Sequence, residues 1–193
     1  RYFYESESNG NLVNNSHRVS ASFEFEPDTL TRISFQPRFN HNDGFSTNSL
    51  EASSFDENGD LINTSETFDN QEFRSSNFAS RLNYIKRFGG EGSYISANFS
   101  NSHDLRESGN NYFSESVFFD SGETEVQDQY IDEEQKENEY EFGAKKRSVL
   151  AKNWFLDISY QFETLRAFNK RSVFEFNETS QEYTVFNDLL SNE

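Results

Sequence analysis

Apolar and polar residues alternate with a period of two along much of this chain. Between Trp154 and Phe168 the even positions read Trp154, Leu156, Ile158, Tyr160, Phe162, Thr164, Arg166 and Phe168. The odd positions between them are mostly polar, among them Asp157, Ser159, Gln161 and Glu163. Successive side chains of a strand point to opposite faces, so this pattern predicts a strand with one apolar and one polar face. The same alternation sets His17, Val19, Ala21, Phe23 and Phe25 against Arg18, Ser20, Ser22, Glu24 and Glu26. It sets Ile33, Phe35, Pro37 and Phe39 against Arg32, Ser34, Gln36 and Arg38. Phe78, Leu82 and Tyr84 stand against Asn77, Arg81 and Asn83, and Ile95, Ala97 and Phe99 against Ser96, Asn98 and Ser100. A weaker strand sets Tyr140, Phe142 and Ala144 against Glu141, Gly143 and Lys145. Pro37 inside such a pattern predicts an edge or a bulge.

These segments make six strands, seven if residues 1–8 form another. Pro27-Asp28-Thr29, Gly89-Gly90-Glu91-Gly92 and residues 150–153 read as tight turns. Between them lie about 28 residues near 44–71 and about 35 near 103–137. Asn58-Gly59 within Phe55–Leu61, and Ser121-Gly122 within Phe118–Glu123, are turn signals. The long connections are therefore expected to be β-hairpins themselves. Alternating short and long connections between two-faced strands fit an up-and-down transmembrane β-barrel, with short periplasmic turns and long extracellular loops. A β-sandwich also alternates but shows no such rhythm. Trp154 beside a short turn, and Phe25, Phe39, Phe88 and Phe168 near strand ends, suit interfacial aromatic girdles. No run of about twenty apolar residues occurs, so no transmembrane helix is expected.

Charge sharpens this picture. Residues 42–72 hold eight acids and no Lys or Arg, and residues 104–141 hold thirteen acids and two bases. These segments carry −8 and −11 of the net −17, which leaves the rest of the chain at +2. Nucleic-acid binding is disfavoured, because phosphate needs a basic surface. Disorder is disfavoured too: Leu, Ile, Val and Phe make up 46 of 193 residues, above the roughly one-fifth threshold. With no cysteine, disulfides, thiolate metal sites and cysteine nucleophiles are excluded.

Candidate chemistry is sparse. Asp56, Asn58 and Asp60 have the spacing of a calcium loop, but its sixth and twelfth positions would be Leu61 and Thr67 instead of Gly and Glu. A hairpin tip is the better reading. His17, His41 and His103 are far apart, and two could meet on adjacent strands, but a metal needs more ligands. No nucleophile elbow surrounds a serine, so neither an enzyme nor a cofactor is expected. Asp132-Glu133-Glu134 and the other loop acids would attract cations or repel anions at a barrel mouth. Arg18, Glu24, Arg32, Arg38, Arg81 and Glu163 fall on the inward, polar faces, where they would line a water-filled lumen.

The run from Arg18-Val19-Ser20-Ala21-Ser22-Phe23-Glu24-Phe25 through Pro27-Asp28-Thr29 to Ile33-Ser34-Phe35-Gln36-Pro37-Arg38-Phe39 resembles a hairpin of the outer-membrane β-barrel family of Bacteroidetes. Lys152-Asn153-Trp154-Phe155-Leu156-Asp157-Ile158-Ser159-Tyr160 resembles it as well, as does the tail from Lys170-Arg171-Ser172-Val173 to Asn187-Asp188-Leu189-Leu190. Members resemble TonB-dependent receptors. The resemblance implies an all-β barrel of about 22 strands in the Gram-negative outer membrane, plugged by a separate domain and importing a nutrient. It implies as partners the membrane lipid, the rest of the barrel and its plug, the TonB complex acting through that plug, and a surface lipoprotein. None of the resembling motifs names a ligand. Six or seven strands fall short of the roughly eight needed for closure. Residues 1–193 are therefore expected to be an incomplete part of one barrel domain. A passive channel or assembly factor without a plug, and a secreted β-sandwich binding module, are the competing readings.

Overall fold

The computed structural model describes residues 2–88 and 92–192. Its elements are β1 (Phe3–Ser20), β2 (Phe23–Asp28), β3 (Thr31–Phe55), β4 (Leu61–Phe88), β5 (Ser93–Phe118), β6 (Thr124–Ala151), β7 (Trp154–Asn177) and β8 (Glu182–Phe186). All belong to one antiparallel sheet in the order β1-β3-β4-β5-β6-β7-β8. β2 pairs with β3 in line with β1, so the two form one interrupted edge strand. The sheet is an open up-and-down wall of six long strands with β8 as a short addition.

Pro37 explains the interruption. Its carbonyl accepts the Ala21 N–H at 3.1 Å. The reciprocal bond of that pair would need a Pro37 N–H, which proline lacks. The edge strand breaks there, at Ala21-Ser22, while β4 pairs past Pro37 without interruption.

The strands are much longer than the two-faced segments. The long connections near 44–71 and 103–137 are not loops: β3 and β4 each run on to a five-residue tip at 56–60, and β5 and β6 to a tip at 119–123. The hairpin expectation for both holds. At the first tip the Asp56 carboxylate accepts the Asn58 and Asp60 amides at 2.8 Å each, and Gly59 adopts φ +89°. The Asp60 amide bond contributes most to holding the Asp56 carboxyl below its ordinary range. These oxygens serve the turn.

Three boundaries differ from the sequence expectation. Residues 3–8 form no seventh strand, because they extend the strand that carries His17 and Val19. The first short turn is centred on Thr29-Leu30, with Asp28 accepting the Leu30 amide at 2.8 Å and the Thr31 hydroxyl at 3.1 Å. The chain does not loop out after Lys170: β7 continues to Asn177, and β8 turns back along it with Phe174 opposite Phe186. After an excursion at 188–191, Asn192 bridges Arg171. Gly89, Gly90 and Glu91 of the expected second short turn lie outside the described residues.

A single-layer sheet encloses almost nothing. Val173, under the returned tail, is the one buried hydrophobic residue among those described. Its amide donates to Ser191 Oγ at 2.9 Å, and its carbonyl accepts the Asn187 amide at 2.8 Å.

Candidate functional site

Directly opposed residues of antiparallel strands project from the same face, so the register sorts every side chain. Phe23, Phe35, Leu82, Phe99, Phe142 and Phe162 stand in one row across β2 to β7. The adjacent row is Phe25, Ile33, Tyr84, Ala97, Ala144 and Tyr160. Two residues further along each strand come Pro37, Ser80, Asn101, Tyr140 and Thr164, and then Val19, Phe39, Phe78, His103, Asn138 and Arg166. The rings touch one another without being covered: Phe23 stacks on Phe35 at 6.2 Å, yet is 60% exposed, and Phe162 is 50% exposed. From the row of Ile33 to the row of His41 this face carries no carboxylate.

The other face at the same levels is mostly polar, with Ala79, Leu165 and Ala167 as apolar exceptions. Arg18, Glu24, Arg32, Arg38, Arg81 and Glu163, the six residues selected from the sequence, all project from it. Arg18 Nε donates to Asn40 Oδ1 at 2.8 Å, Asn40 Nδ2 to Asn77 Oδ1 at 3.3 Å, and Asn77 Nδ2 to Asp104 Oδ1 at 2.9 Å. This chain of bonds crosses β1, β3, β4 and β5 at one level. Glu141 accepts from Ser100 Oγ and from Gln161 Nε2, both at 3.1 Å, which ties β5 to β7. Cross-strand polar pairs of this kind each contribute a few tenths to about 1 kcal/mol.

The structure does not draw the six into one cluster. Arg32 is engaged at the short-turn end, donating to Glu26 at 2.7 Å. Arg18, Arg38 and Arg81 line a hollow of roughly 900 Å³ opposite Glu139 and Glu141. Glu24 and Glu163 lie on the same face outside it. The side chains of Arg38 and Arg81 have no hydrogen bond or ion pair among the described residues, so two unpaired guanidinium groups line the same hollow as these carboxylates. Glu139, Asp104, Asn40 and Asn77 escaped selection from the sequence. The first two fall in the acidic run at 104–141, and their signal was that the alternation of Tyr140 and Phe142 with acids continues backwards through Asn138.

The histidines come together more than their spacing suggested. His17 is directly opposite His41, and His103 is one row away, opposite Phe78. His41 Nδ1 contacts Ser76 Oγ at 2.9 Å, and His103 Nδ1 contacts Asn138 Oδ1 at 2.6 Å. His41 Nε2 also lies 3.6 Å from Asp43 Oδ1, but among the described residues no three His, Asp or Glu side chains come together as a metal ligand set. No family model matches the chain, and no curated protein does.

Proposed function

We propose that this chain is a wall segment of an outer-membrane β-barrel transporter, with its aromatic face toward lipid, its polar face toward the lumen, and its distal hairpins outside the cell. The observation that carries the reading is the split between the faces. Over the same stretch of strand one face holds no carboxylate, while the other holds Glu24, Asp104, Glu137, Glu139, Glu141 and Glu163. Water on both sides gives no reason for that split, whereas hydrocarbon on one side demands it. The polar face then lines a water-filled interior, with Arg18, Glu24, Arg32, Arg38, Arg81 and Glu163 as its charged lining. The near absence of a core weighs against a soluble sandwich, which would bury the aromatic face under a second sheet. The further steps, a plugged barrel driven by TonB and importing a nutrient with a surface lipoprotein as partner, rest on the family resemblance of residues 18–39, 152–160 and 170–190.

The chain has no cysteine, so single cysteines report position cleanly. Asn58→Cys at the first distal tip should react with a membrane-impermeant maleimide in intact cells. Thr29→Cys should react only after the cells are opened. Equal labelling of both in intact cells would sink the topology. Capture of the periplasmic part of TonB by the detergent-solubilised protein would favour energised import over a passive channel, and its absence would favour the channel.

A further inference from the structure

Charge on the polar face is sorted by strand. In the rows of Gln36, Arg38 and Asn40, every cation stands on β1, β3 or β4 and every carboxylate on β5, β6 or β7. Arg18, Arg38 and Arg81 step diagonally across the first three of these strands. Arg38 is flanked in register by Ser20 and Ala79, and Arg81 by Gln36 and Ser100, so no carboxylate is directly beside either guanidinium. On the other side Glu141 is directly opposite Glu163, and Glu139 is two residues along β6. Glu141 accepts hydrogen bonds from the neutral donors Ser100 and Gln161. Like charges placed side by side repel, so each group is unfavourable within itself. Between them lie Ala79, Ser100 and Ser102, whose small side chains leave the hollow of roughly 900 Å³ open from one group to the other. Small-molecule sites run from about 300 to about 1,000 Å³.

We propose that this hollow binds a small zwitterion, a free amino acid or a dipeptide, with its carboxylate on Arg38 and Arg81 and its ammonium group on Glu139 and Glu141. The proposal rests on the barrel reading above, in which this face lines the lumen, and it names the class of nutrient. An anion alone would satisfy the arginines and be repelled by the glutamates, and a cation alone would do the reverse. A ligand with one charge at each end satisfies both groups. The planar fork of arginine also matches a carboxylate in geometry. Length narrows the class. Neighbouring strands lie about 4.8 Å apart, so Arg81 and Glu141, separated by β5, have backbones about 10 Å apart, and Arg38 and Glu139, separated by β4 and β5, about 14 Å. Side chains stand roughly perpendicular to a sheet, so their charged ends keep similar separations. A charge-assisted hydrogen bond of about 2.8 Å at each end leaves roughly 4–8 Å for the ligand. Each residue of extended chain spans up to about 3.5 Å, so one or two residues fill that gap.

The probe is labelled dialanine, measured by equilibrium dialysis against the detergent-solubilised full-length protein, with unlabelled competitors. Dialanine should bind more tightly than N-acetyl-dialanine, which lacks the ammonium group, and than dialanine amide, which lacks the carboxylate. Arg38→Gln/Arg81→Gln should weaken dialanine roughly tenfold, about threefold for each exposed ion pair lost, and abolish its advantage over the amide. Glu139→Gln/Glu141→Gln should abolish its advantage over the acetylated peptide instead. A general change in fold would not split the two ends in this way. Lys145→Gln, on the same face of β6 but paired with Asp157, should change neither comparison. A cysteine separates the site from the barrel. Ala79→Cys, on the floor of the hollow, should react with a water-soluble thiol reagent when the protein sits in vesicles, and dialanine should slow that reaction. Reaction at Ala79→Cys without dialanine binding overturns the site and leaves the barrel standing. So does binding that ignores the end groups or survives either double variant. No reaction there in the inserted protein overturns the lumen reading and the site with it.

Discussion

Phe99→Arg puts the reading of the two faces under the most direct strain. Phe99 sits mid-row between Leu82 and Phe142, and the opposite residue on β3, Phe35, is four positions from the Thr31 level and six from the His41 level. This places Phe99 near the middle of the apolar band. An arginine at the midplane of a barrel's lipid face costs about 2–4 kcal/mol. That corresponds to a loss of roughly 30- to 900-fold in the folding equilibrium. Ser100→Arg is the matched control. Its side chain projects from the other face, between Arg81 and Glu141 in register, where a cation meets water and a carboxylate. The assay is reversible denaturant titration of the full-length protein in lipid vesicles, with native electrophoretic mobility as the readout. Phe99→Arg should shift the midpoint strongly and Ser100→Arg hardly at all. If the aromatic face met water instead, removing an exposed Phe would be neutral or would improve soluble yield. Equal behaviour of the two variants would refute the assignment of the faces.

Other consequences are more local. The Tyr183 hydroxyl donates to Asp128 at 2.8 Å, and burial, followed by this bond and the negative charge of Asp128, pushes its pKa up to about 12. A pKa raised in the folded state gives stability that is complete below about 10 and is lost as pH rises through about 12. Tyr183→Phe should therefore loosen β8 at neutral pH, as alkali should in the native chain, read as faster hydrogen exchange at 182–186. Asp56 is held below the ordinary carboxyl range by the Asp60 amide first, so its contribution is present above about pH 4 and is lost on acidification through its folded value. Asp56→Ala should speed proteolysis at 56–60 and remove that acid dependence. A Cβ on Gly44 would fall on the Val13 carbonyl oxygen and lie 2.8 Å from Phe73 Cζ, so Gly44→Ala should cost about 1–3 kcal/mol and loosen β1. Gly109→Ala meets only the movable end of Tyr130 and should be milder, as paired thermal melts would show. Glu7, Glu51, Glu66 and Glu115 stand directly side by side on four strands, and raising the salt concentration should slow hydrogen exchange at 61–67 by screening them.

The sequence was most informative where lipid and water would stand on opposite sides of one strand. There the period-two pattern is stark, and it sent all six selected residues to a single face although nothing fixed their strands' order. It was least informative in the distal halves. Residues such as Asn48, Ser49, Asn70, Gln71 and Asn111 are polar at consecutive positions, as the barrel reading expects of strands with water on both faces, so alternation vanishes while the strand continues. Turn chemistry was legible at Asn58-Gly59 and Ser121-Gly122, which is why the distal hairpins were expected even where their strands were not. The meeting of His17 with His41 depends on register. That in turn depends on where Thr29-Leu30 turns and on how Pro37 breaks the edge, and a shift of one residue would have sent His17 to the polar face.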